Sequence, residues 1–203
     1  MFADLAHSAL VTSECQNGVI GPVAALPQLA ESAATTVIPN GARLCAAARA
    51  AGIPVLHCTA GRRPDGRGSN TNARLFMAMR KAPRPIELGD TATQVVADFD
   101  VQPDDFVLSR MHGLSPMAGT DLDPILRNLG ATSLVIAGVS VNVAIPNLVM
   151  DAINLGYRVV LPRDAVAGVP AAYAEQVIDN TLALLAEIVT TDEVIAEWSK
   201  VAR

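Results

Sequence analysis

The sequence is poor in aromatic residues and in positive charge, and each shortage excludes a class of protein. Phe, Trp and Tyr make up 3% of the 203 residues, although apolar residues in total make up 51%. The expected core is therefore aliphatic. The net charge of −5 argues against a protein that binds nucleic acid or an anionic membrane surface.

Cysteine and long apolar runs are also scarce. Cys15, Cys45 and Cys58 are odd in number and follow neither a disulfide spacing nor a zinc-site spacing, so we expect free thiols in a cytoplasmic protein. No stretch approaches about 18 uninterrupted apolar residues, so no transmembrane helix is expected. Residues 1–13 lack the charged start and the cleavage pattern of a signal peptide.

Short apolar runs alternate with helical segments along the chain. Strands are expected at 8–13, 53–58, 106–109, 157–161 and 187–190 and at the start of the stretch 134–147; helices are expected at 35–51, 121–128, 146–155, 171–186 and after 191. This alternation predicts an α/β fold in one domain over residues 1–203. The expected architecture is a three-layer α/β/α sandwich with a six-stranded, mostly parallel, Rossmann-like sheet.

Residues 59–104 interrupt the alternation with a long excursion. Residues 59–72 are polar and turn-rich, and only a short helix at 75–81 and a helical turn at 91–98 are expected in the remainder. Long excursions inside a compact domain are usually functional or mobile. We interpret this one as a lid over the carboxyl edge of the sheet.

Three strand ends carry the residues that suggest chemistry. Glu14 follows the first strand, Arg110 the third, and Ala144 lies just past the fourth. In open α/β sheets, ligands bind at the carboxyl ends of the strands, so these positions are expected to converge. A carboxylate beside a guanidinium in an aliphatic pocket could handle protons. The alternative is a buried ion pair that only orders the strand ends.

Several motifs resemble the isochorismatase-like hydrolases. Residues 9–17 (ALVTSECQN) are similar to the first-strand motif of that family, A-L-L-V-I-D-M-Q-N. Residues 110–123 (RMHGLSPMAGTDLD) are similar to its lysine-containing segment, and residues 138–145 (GVSVNVAI) to its turn G-V-x-T-[DN]-x-C-V. The resemblance spans nearly the whole chain in the order and spacing of the family. It implies the α/β/α fold described above and a small-molecule substrate.

The resemblance also implies an altered catalytic triad. Most members of the family hydrolyse amides with an Asp, a Lys and a nucleophilic Cys, and the matching positions here hold Glu14, Arg110 and Ala144. Isochorismatases proper manage without the thiol, since they have a Gly at that position and use acid catalysis. By that precedent Glu14 could protonate a substrate or activate a water over Ala144, with turn N–H groups as an oxyanion hole.

Further site residues follow from the same comparison. Residues expected to contact the substrate are Gln16, Arg62, Asn72, His112, Asn142 and Val143. In the family, the peptide bond before the turn residue that matches the cysteine is often cis, which here would be at Val143 or its neighbour. No metal site or other cofactor is expected, because residues 59–72 contain Asp65 but no His; His57 is expected to be a satisfied core or edge histidine. A homo-oligomer, dimer or tetramer, is expected.

Three functional hypotheses remain open at this point. The first is a cysteine-independent hydrolase or lyase in which Glu14 is the acid/base. The second is a catalytically silent homologue that binds a small molecule or a partner protein. The third is an amidase that uses Cys15 or Cys58 instead.

Overall fold

A parallel β-sheet forms the centre of the molecule, whose computed structural model describes residues 4–201. Its strands are β1 (Ser8–Ser13), β2 (Val55–Ala60), β3 (Phe106–Arg110), β4 (Ser133–Val139), β5 (Arg158–Pro162), β6 (Val166–Ala167) and β7 (Glu187–Val189). The strand order is β3-β2-β1-β4-β5-β7, and the two-residue β6 pairs with β4. The predicted α/β fold is confirmed, and β6 is an additional strand too short to produce a sequence pattern.

Seven α-helices connect the strands within residues 4–201. They are α1 (Pro27–Thr35), α2 (Val37–Ala50), α3 (Arg74–Arg80), α4 (Leu122–Asn128), α5 (Ala144–Asn154), α6 (Ala171–Asn180) and α7 (Thr191–Val201). The sequence pattern does not predict α1. The helix predicted at 171–186 is too long, because α6 ends at Asn180 and a 3-10 turn at Leu182–Leu184 follows.

Both faces of the sheet are buried, which explains the near-continuous apolar strands. Successive strand residues point to opposite faces, so Leu10 belongs to the cluster formed with α1, α2 and α7. Val11 belongs to the cluster formed with α4, α5 and α6. Aliphatic side chains dominate both clusters, as expected, although Phe99 and Trp198 are fully buried in the first.

The chain reverses its winding direction between β1 and β4. From β1 it continues outward through β2 to β3, and from β4 it continues the other way to β5 and β7. The crevice outside the carboxyl ends of strands at such a switch point is the usual ligand site of open α/β sheets. Within residues 4–201, no helix is long and apolar enough to cross a membrane.

Candidate active site

A cavity of about 510 Å³ opens at the carboxyl ends of β1, β3 and β4. Glu14, Arg110 and Ala144 all line it, so the three positions that the sequence singled out meet in one space. The volume falls within the range of about 300–1,000 Å³ that is usual for small-molecule sites. Residues from the excursion at 59–104 form part of its wall, including Arg62 and Phe76.

Glu14 adopts a backbone conformation that is unusual for a residue with a side chain. Its φ is 55°, in the left-handed region that costs an L-residue about 1–2 kcal/mol. The N–H of Glu14 donates to the carbonyl oxygen of Cys58 at 2.8 Å, which anchors this turn to the end of β2. Such outliers concentrate at functional sites, where the surrounding structure enforces them.

Glu14 and Arg110 form an ion pair inside the cavity wall. The Nη2 of Arg110 donates to Oε1 of Glu14 and to the carbonyl oxygen of Leu114 at 3.2 Å. The side chain of Arg110 is 4% exposed and that of Glu14 is 20% exposed. The Nε and Nη1 atoms of Arg110 are buried without a hydrogen-bond partner among the described residues. Arg110 therefore keeps donors that are not used by Glu14.

The turn before α5 brings backbone to the cavity instead of a reactive side chain. The carbonyl oxygen of Ser140 accepts from the N–H of Val143 at 3.1 Å and of Ile145 at 3.0 Å. Ala144, the first residue of α5, is 5% exposed. No backbone acceptor is recorded within residues 4–201 for its N–H. The non-proline cis bond joins Val139 to Ser140, not the residues at Val143 where the family resemblance would place it.

Comparison with known proteins identifies the chain. A sequence profile of the Isochorismatase domain matches residues 8–193. The chain belongs to the isochorismatase family. The family resemblance inferred from the motifs is thereby confirmed.

Named relatives agree with this assignment. The ureidoacrylate amidohydrolase RutB of Pseudomonas syringae pv. syringae (strain B728a) is 31% identical over 183 residues, which cover 84% of this chain and 74% of that protein. An isochorismatase family protein from Burkholderia thailandensis superposes with a TM-score of 0.78 at 26% identity, covering 96% of each chain. A cysteine hydrolase from Pseudomonas syringae pv. phaseolicola 1448A has a TM-score of 0.85 at 22% identity, covering 98% of this chain and 95% of that one. The sequence thus places the chain in the isochorismatase family, and its fold is that of the solved structures it resembles.

Four of the six expected substrate contacts line the cavity of this isochorismatase-family chain: Arg62, His112, Asn142 and Val143. Asn142 also clamps the backbone of Val169, since its Nδ2 donates to the carbonyl oxygen at 2.6 Å. Its Oδ1 accepts from the N–H of the same residue at 2.8 Å. Asn142 therefore also fixes the loop before α6.

Gln16 is not a substrate contact, and this expectation is corrected. Its side chain is fully buried and does not line the cavity. Its Nε2 donates to the carbonyl oxygens of Ala60 at 2.8 Å and Ala92 at 3.0 Å, while its Oε1 accepts from the N–H of Ala60 at 2.7 Å. Gln16 instead ties the end of β1 to the end of β2 and to the excursion.

Asn72 also lies outside the main cavity. It lines a neighbouring polar depression formed by residues 68–72 with His112 and Gly113. Asn70 takes its place in the cavity wall, where its Oδ1 accepts from the N–H of Gly113 at 2.8 Å. Both asparagines lie in the same polar loop, and sequence alone gives no signal that separates them.

Sequence reasoning missed several residues of the wall. Ser69, Arg80 and Ser140 line the cavity, as do the apolar side chains of Leu75 and Met79. The break that Ser140 makes in the apolar run after β4 is a usable signal for a residue at the strand end. The excursion residues carry no comparable signal, because their position depends on how the loop folds back.

The thiols of this family member lie in the core. Cys15, Cys45 and Cys58 are each at most 1% exposed, and none of them lines the cavity. Burial raises the pKa of Cys15 well above its usual range and the pKa values of Cys45 and Cys58 to about 12. A buried, protonated thiol is a poor nucleophile, which argues against an amidase built on these cysteines.

His57 is a core residue on β2 and does not reach the cavity. Its Nδ1 lies 2.8 Å from Oγ1 of Thr12, and its Nε2 lies 3.5 Å from Oδ2 of Asp105. Burial lowers the pKa of His57 to about 4, against the opposing attraction of Asp105. His57 is therefore neutral at neutral pH, and its contact with Asp105 is not an ion pair.

No cluster of three or more His, Cys, Asp or Glu side chains that could hold a metal ion occurs within residues 4–201. In the part of the chain that the structure describes, Glu14 carries the only acidic side chain that lines the cavity. The absence of a metal from the reaction stays a prediction.

Proposed function

We propose that this isochorismatase-family protein hydrolyses a small molecule without a nucleophilic cysteine, with Glu14 as the acid/base residue. One observation supports this proposal above the others. Glu14, Arg110 and the Ala144 turn line one cavity of about 510 Å³, whereas all three thiols are buried elsewhere. The charged pair therefore faces space that a substrate can enter.

The ion pair with Arg110 suits Glu14 to the role of a base. An ion pair requires the carboxylate form, which accepts protons. In the proposed reaction, Glu14 takes a proton from water as the resulting hydroxide attacks the carbonyl carbon of the substrate. The bond from that carbon to the leaving group then breaks, and the proton on Glu14 passes to the departing nitrogen or oxygen. One water is consumed, and an acid and an amine or alcohol are formed.

Arg110 and the Ala144 turn suit the stabilisation of the negative charge that develops on the carbonyl oxygen. Arg110 keeps its positive charge beside Glu14 in the cavity wall, since a guanidinium does not lose its proton in proteins. The N–H of Ala144 is a further donor at the start of α5. Donors held in place before the reaction are among the largest contributions to catalysis.

The second candidate is a catalytically silent protein that binds a small molecule or a partner on the same scaffold. The ion pair itself favours this alternative, because Glu14 and Arg110 satisfy each other without a substrate. In that case the pair only orders the ends of β1 and β3. Binding without turnover distinguishes this alternative from the hydrolase.

The remaining expectations accompany the hydrolase proposal. They are a cytoplasmic protein, a single domain with a lid at 59–104, and a dimer or tetramer. Exposed apolar side chains outside the cavity, such as Leu184 at 82% exposure and Tyr173 at 50%, are compatible with subunit contacts. Sedimentation at micromolar concentration measures the oligomeric state directly.

A substrate screen tests the proposed function. Wild type and Glu14→Gln are assayed against panels of amides, ureides and esters, with Glu31→Gln as the control because Glu31 is exposed and does not line the cavity. Hydrolysis by wild type and Glu31→Gln but not by Glu14→Gln supports the proposal. Binding of compounds with no hydrolysis in any variant supports the silent homologue. Equal hydrolysis by all three proteins overturns the role of Glu14.

A further inference from the structure

Several residues of the cavity wall also carry buried polar atoms without a hydrogen-bond partner. Among the described residues, the buried side-chain atoms without a hydrogen-bond partner are His57 Nε2, Arg62 Nε, Ser69 Oγ, Arg110 Nε and Nη1, and Ser133 Oγ. Arg62, Ser69 and Arg110 all line the cavity. Buried polar atoms in folded proteins almost always have partners. These atoms are themselves buried, so the chemistry of a ligand follows from the charged and apolar side chains that line the cavity.

The charged side chains of the wall favour a negatively charged ligand. Arg62, Arg80 and Arg110 line the cavity, against the single carboxylate of Glu14. Glu14 compensates Arg110, and Glu87 lies 3.4 Å from Arg62 outside the lining. No ion pair is recorded for Arg80 within residues 4–201. The surplus is therefore positive.

The surplus charge lies at the end of the cavity formed by the excursion. The Nη1 of Arg62 is 3.4 Å from the carbonyl oxygen of Arg80, so these two residues are neighbours. Arg62 lies just after β2 and Arg80 is the last residue of α3. Arginine presents a planar set of donors that matches the two oxygens of a carboxylate.

Much of the remaining wall is apolar, and part of it comes from a helix without a buried residue. Helix α3 buries none of its seven residues, yet Leu75, Phe76 and Met79 line the cavity. Leu26, from the segment before α1, lines the cavity from another element and is 44% exposed. Apolar side chains exposed together around a cavity are typical of a site for an apolar ligand.

We propose that the substrate is an amphiphilic carboxylate, with its carboxylate at Arg62 and Arg80 and its apolar body against α3. The bond to be hydrolysed then lies near Glu14 and Arg110, so this inference rests on the proposed function for the position of the chemistry. The recognition of the apolar body and of the carboxylate does not depend on turnover.

Calorimetric titration of the full chain with three unreactive probes tests this inference. The probes are 3-phenylpropanoate, which has both features, propanoate, which lacks the apolar body, and 3-phenylpropan-1-ol, which lacks the charge. The expected result is that 3-phenylpropanoate binds at least about tenfold more tightly than either of the others. Equal affinities for the acid and the alcohol, equal affinities for the two acids, or no binding of any probe overturn the proposal.

Matched variants on α3 locate the two features. Arg80→Gln is expected to lower the affinity for 3-phenylpropanoate about fivefold and to leave the affinity for the alcohol unchanged. Arg74 does not line the cavity, so Arg74→Gln is expected to change neither affinity. Met79→Ala is expected to lower the affinity for both phenyl probes. Met77 does not line the cavity, so Met77→Ala is expected to change neither affinity. No residue of α3 is fully buried, and only Met79 among the substituted residues packs against the core, so the folded state of Met79→Ala is checked by circular dichroism. Loss of binding in the control variants would contradict the assignment.

The two proposals fail separately. Glu14→Gln is expected to abolish hydrolysis and retain the order of probe affinities. If Glu14→Gln remains active and the order of affinities holds, the catalytic role of Glu14 is wrong and the substrate class stands. If hydrolysis depends on Glu14 but the probes bind equally, the substrate class is wrong and the catalytic role stands.

Discussion

Arg110 contacts Glu14 through one corner of its guanidinium. Its Nη2 serves both Glu14 and the carbonyl oxygen of Leu114, while its Nε and Nη1 remain without partners in the described part of the chain. An arginine whose role was only to neutralise a carboxylate would be expected to use two parallel bonds. The contact through one corner leaves two donors of Arg110 unpaired beside the carboxylate of Glu14.

Arg110→Lys is expected to lower kcat/KM about 100-fold while the protein stays folded. Lysine keeps the positive charge beside Glu14 but loses the forked donors, and loss of one donor to a developing oxyanion typically costs about 100- to 1,000-fold. Steady-state kinetics with a substrate from the screen measures the effect. Arg127→Lys is the control, because Arg127 pairs with Asp123 at 3.1 Å on the surface of α4. An unchanged kcat/KM in Arg110→Lys would show that the reaction needs the positive charge at this position but not the guanidinium.

Native protein is expected to keep its full activity after treatment with iodoacetamide. The three thiols are buried, so the reagent cannot reach them in the folded protein. Burial also raises their pKa values, so they are not ionised at neutral pH. Intact mass should show no alkylation of the folded protein, and three alkylations after denaturation because the chain has three cysteines. Inactivation that parallels the alkylation of one cysteine would instead favour a thiol mechanism.

Stability is expected to fall as pH falls from 7 to 5, because of His57. Burial lowers the pKa of His57 to about 4 in the folded protein from 6.5, so between these values the unfolded chain binds a proton that the folded chain does not. The free energy of unfolding therefore rises with pH across this window, by about 2 kcal/mol between pH 5 and pH 7. Urea unfolding at the two pH values measures the difference.

A change at His57 should flatten this pH dependence. His57→Gln removes the titrating group, and His7→Gln is the control because His7 is 67% exposed. The neighbouring Asp105 affects the stability only at pH values below this window. Burial raises its pKa, but hydrogen bonds from Arg49 and from the N–H of Gln102 outweigh burial, so the pKa is lowered from 3.8. An equal slope in wild type and His57→Gln would mean that another group carries the effect.

The positions of the longer strands in the sequence were predictable because each carries its own apolar run. β1 occupies the predicted residues, and its parallel pairing with β2 follows from the chain alternation. The pairing of β1 with β4 does not follow from that alternation. The early end of α6 at Asn180 was not predictable from periodicity, since Leu182 and Leu185 continue the apolar pattern. A 3-10 turn buries Leu182 without extending the helix.

The convergence of Glu14, Arg110 and Ala144 was predictable because strand ends meet at one edge of a parallel sheet. The roles of the individual side-chain amides in the site motifs were not predictable. Gln16 is held by Ala60 and Ala92, which lie 44 and 76 residues away in sequence, and Asn142 is held by Val169, 27 residues away. A side chain with a polar group in a site motif can thus support the wall or contact the ligand, and only the three-dimensional contacts decide.

The most direct test of the account is the kcat of Glu14→Gln on the best substrate of wild type. Gln keeps the size and hydrogen-bonding capacity of Glu but cannot take a proton from water. The account predicts that kcat falls at least about 100-fold, with the probe affinities and the folded state, measured by circular dichroism, retained. A kcat within about twofold of wild type would contradict the proposal that Glu14 drives hydrolysis in place of a thiol.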